Sequence, residues 1–160
     1  MKLSEISETC IDQLAALNSR DAGLERDILK DLPDIKTHAL IISGIRRCGK
    51  STLLHQFLKK QDKKFFYLNF DDLRLANFTI TDYELLNRVI KDTGTSVLFF
   101  DEIQSAQQWE LYIRQKLDEG YQCIITGSNA SLLSRELGTR LTGSTPVSAM
   151  YIFWIPGVNP

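Results

Sequence analysis

Residues 39–54, ALIISGIRRCGKSTLL, constrain this chain more than any other stretch. A short apolar run, Ala39-Leu40-Ile41-Ile42, leads into Gly44-Ile45-Arg46-Arg47-Cys48-Gly49-Lys50-Ser51 and on, through Thr52, into helix-forming sequence. The turn fits G-x-x-x-x-G-K-[ST], the pattern of a loop that wraps phosphate. Gly44 and Gly49 let the backbone bend where a side chain would clash. Successive N–H groups between Gly44 and Thr52 then point inward at phosphate oxygens, helped by the positive end of the following helix. Lys50 supplies a point charge for the terminal phosphates, and the Ser51 hydroxyl is a candidate magnesium ligand. The bland alternative is an ordinary glycine-containing strand-to-helix turn. A buried strand before the loop and a helix after it argue against that.

The remaining composition narrows the class without naming a partner. The 160 residues suit one domain with a real core, and 43% apolar with 24% charged residues is typical of a soluble globular chain. A net charge of −1 gives no overall pull toward nucleic acid or a membrane surface. Cys10, Cys48 and Cys123 are odd in number and form no C-x-x-C pair, which points away from a disulfide framework or a zinc site and toward a reducing, cytoplasmic setting. The start, Met1-Lys2-Leu3-Ser4-Glu5, lacks signal-peptide character, and no apolar run reaches membrane-spanning length.

Taken in order, residues 1–33 read as an N-terminal helical segment. Leu3, Ile6, Cys10, Leu14 and Leu17 recur at helical spacing, Gly23 breaks the pattern, and a second short helix carries Leu24, Ile28 and Leu29 as far as Pro33. A packing role is the simpler reading; a partner-binding helix is the alternative. The core spans 34–143. It opens with a strand at 39–43 and a helix at about 50–60, whose end is crowded by Lys59, Lys60, Lys63 and Lys64. Cations suit a helix C-terminus, so these four lysines read as a solvated end before they read as a nucleic-acid patch. Residues 65–70, FFYLNF, form an aromatic strand; Asp71 and Asp72 after it either face a ligand crevice or cap a turn through Leu73. Residues 81–90 predict a helix with Thr81 as cap, ended by Thr93-Gly94-Thr95.

Val97-Leu98-Phe99-Phe100-Asp101-Glu102 predicts a buried strand tipped by two carboxylates, about fifty residues after the loop. Four apolar residues followed by Asp-Glu match the second nucleotide-site motif, Walker B. Asp101 would hold magnesium opposite Ser51, and Glu102 would orient or deprotonate an attacking water. Alone the pattern is weak, because many strands end in solvated acids; downstream of a complete phosphate loop it is strong. A helix at 109–117 buries Trp109, Tyr112, Ile113 and Leu117, Gly120 ends it, and residues 122–126 form a fourth strand. Thr126-Gly127-Ser128-Asn129 follows, then a helix through Leu132, Leu133 and Leu137. Ser128, at the strand tip, either positions the water or senses the γ-phosphate, or it caps the helix. Strands alternating with helices give an α/β fold: a P-loop NTPase with a central parallel sheet in a three-layer sandwich.

The segments GIRRCGKSTLL, YLNFDDLRL, LFFDEIQ and ITGSNASLLSRELGTRLTG resemble the bacterial and archaeal AAA-type ATPases that carry a C-terminal domain of unknown function. The resemblance covers roughly residues 24–143. It implies ATP and Mg2+ as cofactors, Lys50 and Ser51 at the phosphates, Asp101 and Glu102 as the metal and hydrolysis pair, and Ser128 near the γ-phosphate. Arg140 matches an arginine of the family's motif run. The paired acids argue for ATP hydrolysis; a nucleotide-gated interaction module without turnover and a small-molecule kinase are the competing readings. Protein and nucleic-acid partners are both open, no membrane partner is expected, and self-association is open.

After Gly143 the chain departs from the family. The family continues with arginine, a fifth strand and F-x-F-x-E-F/L, whereas residues 144–160 read STPVSAMYIFWIPGVNP. Permitted codons for Ser144 to Asn159, read one base later, restore an arginine, an apolar strand and F-x-F-x-E-L. A frameshifted, truncated remnant is therefore compatible with the sequence. On that reading the fifth strand beside the first is missing or replaced, and 144–160 pack poorly. Val147 to Ile155 is apolar enough to add there, and Pro156 would end such a strand.

Overall fold

The computed structural model describes residues 1–21, 23, 29, 32, 39–44, 48–60 and 63–127, together with the backbone of 150–155. Helix α1 (Leu3–Ser19) precedes strand β1 (Ala39–Gly44), helix α2 (Lys50–Lys60) and strand β2 (Phe66–Asn69). Helix α3 (Asp82–Thr93), strand β3 (Val97–Asp101), helix α4 (Trp109–Asp118) and strand β4 (Gln122–Gly127) follow, and strand β5 is Met150–Ile155. The expected second helix near residue 28 and the helix through Leu137 fall outside the described residues, although Leu29 and Leu32 are buried.

All five strands are parallel, in the order β2-β3-β4-β1-β5. Right-handed crossovers explain the layers. The step from β1 out to β2 carries α2 over one face. The return steps, β2 to β3 and β3 to β4, carry α3 and α4 over the other. Leu40, Ile42, Phe99 and Ile124 pack under Leu53, Leu54, Phe57 and Leu58 of α2. Ile41, Leu68, Phe100 and Ile125 pack under Leu86 and Ile90 of α3 and Ile113 of α4. Covered on both faces, β1 and β3 are buried at every residue, which is why they read as continuous apolar runs and not as alternation.

The position beside β1 is filled. Backbone of Met150–Ile155 pairs with Ala39–Gly44 in parallel register, so of the two expectations for the fifth strand, missing or replaced, the second holds, and the strand ends at Ile155. A doubly buried β1 needs both neighbours for its backbone groups, and this β-branched and aromatic run supplies the second one. One expectation shifts, at the start of α3. Thr81 stands at the cap position without a side-chain cap bond; its hydroxyl instead meets the Thr79 hydroxyl at 3.0 Å. The Asp82 carboxylate closes this end, accepting the Thr79 N–H and hydroxyl, both at 2.8 Å, as well as the Met1 ammonium at 2.8 Å.

At the opposite sheet edge, α1 lies against β2. The Gln13 side-chain amide imitates a strand: its Nε2 donates to the Asn69 carbonyl at 3.1 Å and its Oε1 accepts the Asn69 N–H at 2.7 Å. The same Nε2 reaches Asp72 at 2.9 Å. Asp72 caps the 3-10 turn Leu73–Leu75 through the Arg74 N–H, so the capping alternative for this residue is the one found. Gln13 is 8% exposed, and truncation leaves the Asn69 groups buried without partners. Gln13→Ala is expected to lower unfolding free energy by about 1–3 kcal/mol. Denaturant unfolding checks this, and a loss no larger than at the exposed Ile11→Ala would show that the amide does not seal the edge.

Candidate nucleotide site

The loop begins where β1 ends. Gly49 has φ +82°, a left-handed conformation that favours glycine, and its carbonyl accepts the Leu53 N–H at 3.0 Å as α2 starts. Cys48 is buried, Ser51 half-buried and Thr52 exposed. Gly44 is the last residue of β1. Ile45, Arg46, Arg47, Ser128 and Arg140 lie outside the described residues. Lys50, the first residue of α2, folds its side chain back into the protein. It is 3% exposed, and its Nζ donates to the Gly44 carbonyl at 3.2 Å.

The acid-tipped strand meets this lysine. Lys50 Nζ lies 3.5 Å from Glu102 Oε1. Glu102 adopts φ +49°, ψ +45°, the left-handed region that a non-glycine residue enters at a cost of about 1 kcal/mol. Local contacts hold it there: its N–H donates to Thr126 Oγ1 at 3.1 Å and its Oε2 accepts from Gln104 Nε2 at 2.7 Å. Asp101 is 3% exposed. Its Oδ2 accepts the Tyr67 hydroxyl at 3.0 Å, and its Oδ1 accepts the Thr126 hydroxyl.

Lys50, Asp101 and Glu102, singled out from sequence, are thus brought to the C-terminal edge of the sheet. β1 is left toward β2, and its neighbour β4 connects the other way, to β5; a parallel sheet opens its crevice at such a switch point. Tyr67, Gln104 and Thr126 were not singled out. A parity signal existed: Asn69 pairs with Asp101, so Tyr67, two residues earlier, shares its face. Phe100 pairs with Ile125, which puts Thr126 level with Asp101. What the sequence lacked was the strand order that made β2 and β4 the neighbours of β3.

Burial pushes the Tyr67 phenol well above its ordinary value, and the Asp101 charge adds to the shift. A group whose folded value is raised contributes its full stability below the unfolded value and loses it as pH rises above that. The folded protein should therefore lose stability above about pH 10, where unfolded tyrosine ionises. Tyr67→Phe should flatten that loss. Unfolding midpoints measured on either side of this pH check it, and parallel slopes for the two proteins would refute it.

Residues 36–155 match a protein-family model described as an AAA domain, AAA_14, a match that runs from before β1 to the last residue of β5. Over 122 residues the chain is 40% identical to the uncharacterized protein MJ1544 of Methanocaldococcus jannaschii, covering 75% of this chain and 27% of that protein. Over 141 residues it is 34% identical to an uncharacterized protein of Haemophilus influenzae, covering 80% and 34%. The chain thus spans about a third or less of the length of these curated relatives. Among solved structures, AMPPCP-bound DnaA from Aquifex aeolicus aligns at 16% identity and TM-score 0.45, over 92% of this chain and 46% of that one. The DnaC helicase loader aligns at 16% identity and TM-score 0.44, over 91% and 89%. No helix among the described residues is long and apolar enough to cross a membrane. With three quarters of its length inside one family model, the chain belongs to the AAA_14 family of AAA domains.

Proposed function

We propose that this domain binds ATP with Mg2+ and hydrolyses it to ADP and phosphate. The contact of buried Lys50 with half-buried Glu102, at 3.5 Å between side chains from separate stretches of the chain, is the observation that carries the reading. Lys50 and the backbone from Gly44 to Thr52 would hold the β- and γ-phosphates. The donors available to a magnesium ion are the Ser51 hydroxyl, half-buried in the first turn of α2, and the Asp101 carboxylate. These are hard oxygen ligands of the kind Mg2+ prefers, and Asp101 retains acceptor capacity beyond its two hydroxyl bonds. Bound there, the ion would neutralise phosphate charge.

Glu102 is the base. Its carboxylate contacts Lys50 and accepts from Gln104. An entering triphosphate competes for the Lys50 ammonium, because its charge density exceeds that of one carboxylate. Glu102 then becomes available to accept the proton of a water that attacks the γ-phosphorus. The bond from that phosphorus to the bridging oxygen breaks, ADP takes the electron pair, and the proton passes to solvent. Ser128 is assigned to the γ-phosphate side by the family resemblance alone.

Lys50→Ala should weaken ATP binding roughly 100-fold, through loss of a charge-assisted contact. Equal affinity of the two proteins would sink the reading. Glu102→Gln should leave ATP affinity intact and cut turnover by about 10²–10⁴-fold. Phosphate release by the wild type without an acceptor separates hydrolysis from a kinase. Tight nucleotide binding with no release at all would make the domain a nucleotide-gated interaction module.

A further inference from the structure

Asp101 is a buried carboxylate held only by neutral donors. Among the described residues no lysine or arginine pairs with it, and its hydrogen bonds come from the hydroxyls of Tyr67 and Thr126. Both donors are themselves buried, Tyr67 at 5% and Thr126 at 0% exposure. Burying a hydroxyl has a desolvation cost that Phe or Val at the same positions would avoid. Each hydroxyl recovers that cost only through its bond to Asp101, and for Thr126 also through the Glu102 N–H that it accepts. The two donors come from the strands on either side of β3, and each takes a different carboxylate oxygen. The plane of the carboxylate is therefore fixed by two flanking strands. About four acceptor positions exist on an ionised carboxylate, so one on each oxygen remains.

We infer that Tyr67 and Thr126 are positioning residues that lock the Asp101 carboxylate in the orientation a divalent cation requires. The inference rests on the magnesium–nucleotide reading above. Thr126 has a second duty, because the hydroxyl that donates to Asp101 also pins the backbone of Glu102. One threonine thus fixes both acids relative to each other. Tyr67 acts on Asp101 alone. A ligand carboxylate oriented by outer hydrogen bonds does not have to be ordered when the ion arrives. Removal of such partners lowers metal affinity while leaving the ligand in place.

The test is nucleotide binding by a fluorescent ATP analogue, in chelator and across a Mg2+ titration, for wild type, Tyr67→Phe, Thr126→Val and Thr126→Ser. In chelator the four proteins should bind alike, since the phosphate loop is untouched. The Mg2+ concentration for half-maximal effect should rise roughly 10- to 100-fold in Tyr67→Phe and Thr126→Val. Thr126→Ser, which keeps the hydroxyl, should return it toward wild type. Tyr67→Phe deletes one oxygen and keeps the ring against Phe99, 4.9 Å between centroids, so it decides the question even where Thr126→Val fails to fold. A purely structural role would lower the unfolding midpoint and leave the Mg2+ dependence unchanged, which overturns the inference while the parent reading stands. A wild type whose nucleotide binding ignores Mg2+ overturns both.

Discussion

A parallel sheet covered on both faces can do chemistry only at its strand ends, and the rest of this molecule follows from that constraint. β1 and β3 have no exposed residue, so neither can present a polar side chain along its length. The charged groups are forced to the C-terminal tips, where Lys50 and Asp101 are each 3% exposed. In that setting water only partly screens the contact between buried Lys50 and half-buried Glu102. A buried pair of this kind adds little net stability, but loss of one partner strands the other charge.

The edge of the sheet is tied to the same site. Gln13 of α1 bonds both backbone groups of Asn69, and Asn69 is the register partner of Asp101. Covering the edge protects β2 from foreign pairing. It also fixes the strand that carries Tyr67. Helix α1 is in this sense part of the frame around β3. Asp72, Arg74 and Asp12 extend the same clasp at the surface, where their ion pairs at 2.8–2.9 Å are half-exposed and contribute modestly.

Glu102 is one of two non-glycine residues at positive φ among the described residues, with Gln108 at φ +53°. A non-glycine residue at φ +49° persists only where its surroundings over-determine it, and here Thr126, Gln104 and Lys50 all hold it. Three separate segments, β4, the turn after β3 and the start of α2, therefore converge on one carboxylate.

The linear chain determined the parts of this design that depend on local spacing. Glycines at 44 and 49, a lysine one residue later, and apolar runs ending in Asp101-Glu102 announced the loop, the buried strands and the α/β class. Their information lies within a few residues of itself, in backbone conformation and burial. The aromatic run at 65–70 was legible as a strand for the same reason, but Tyr67 within it looked like one more apolar residue. Its role depends on lying beside β3, and that neighbour is set by crossovers that span thirty residues or so, a distance over which sequence periodicity says nothing. Thr126 was hidden in the same way, as the polar end of a strand whose partner was unknown. The left-handed turn at Glu102 carried no signal either, since glutamate has no preference for it and only the tertiary contacts enforce it. Whether 144–160 could supply a strand was a question of composition; that Met150–Ile155 pairs with β1 follows from the one backbone edge that β4 leaves open on a doubly buried strand.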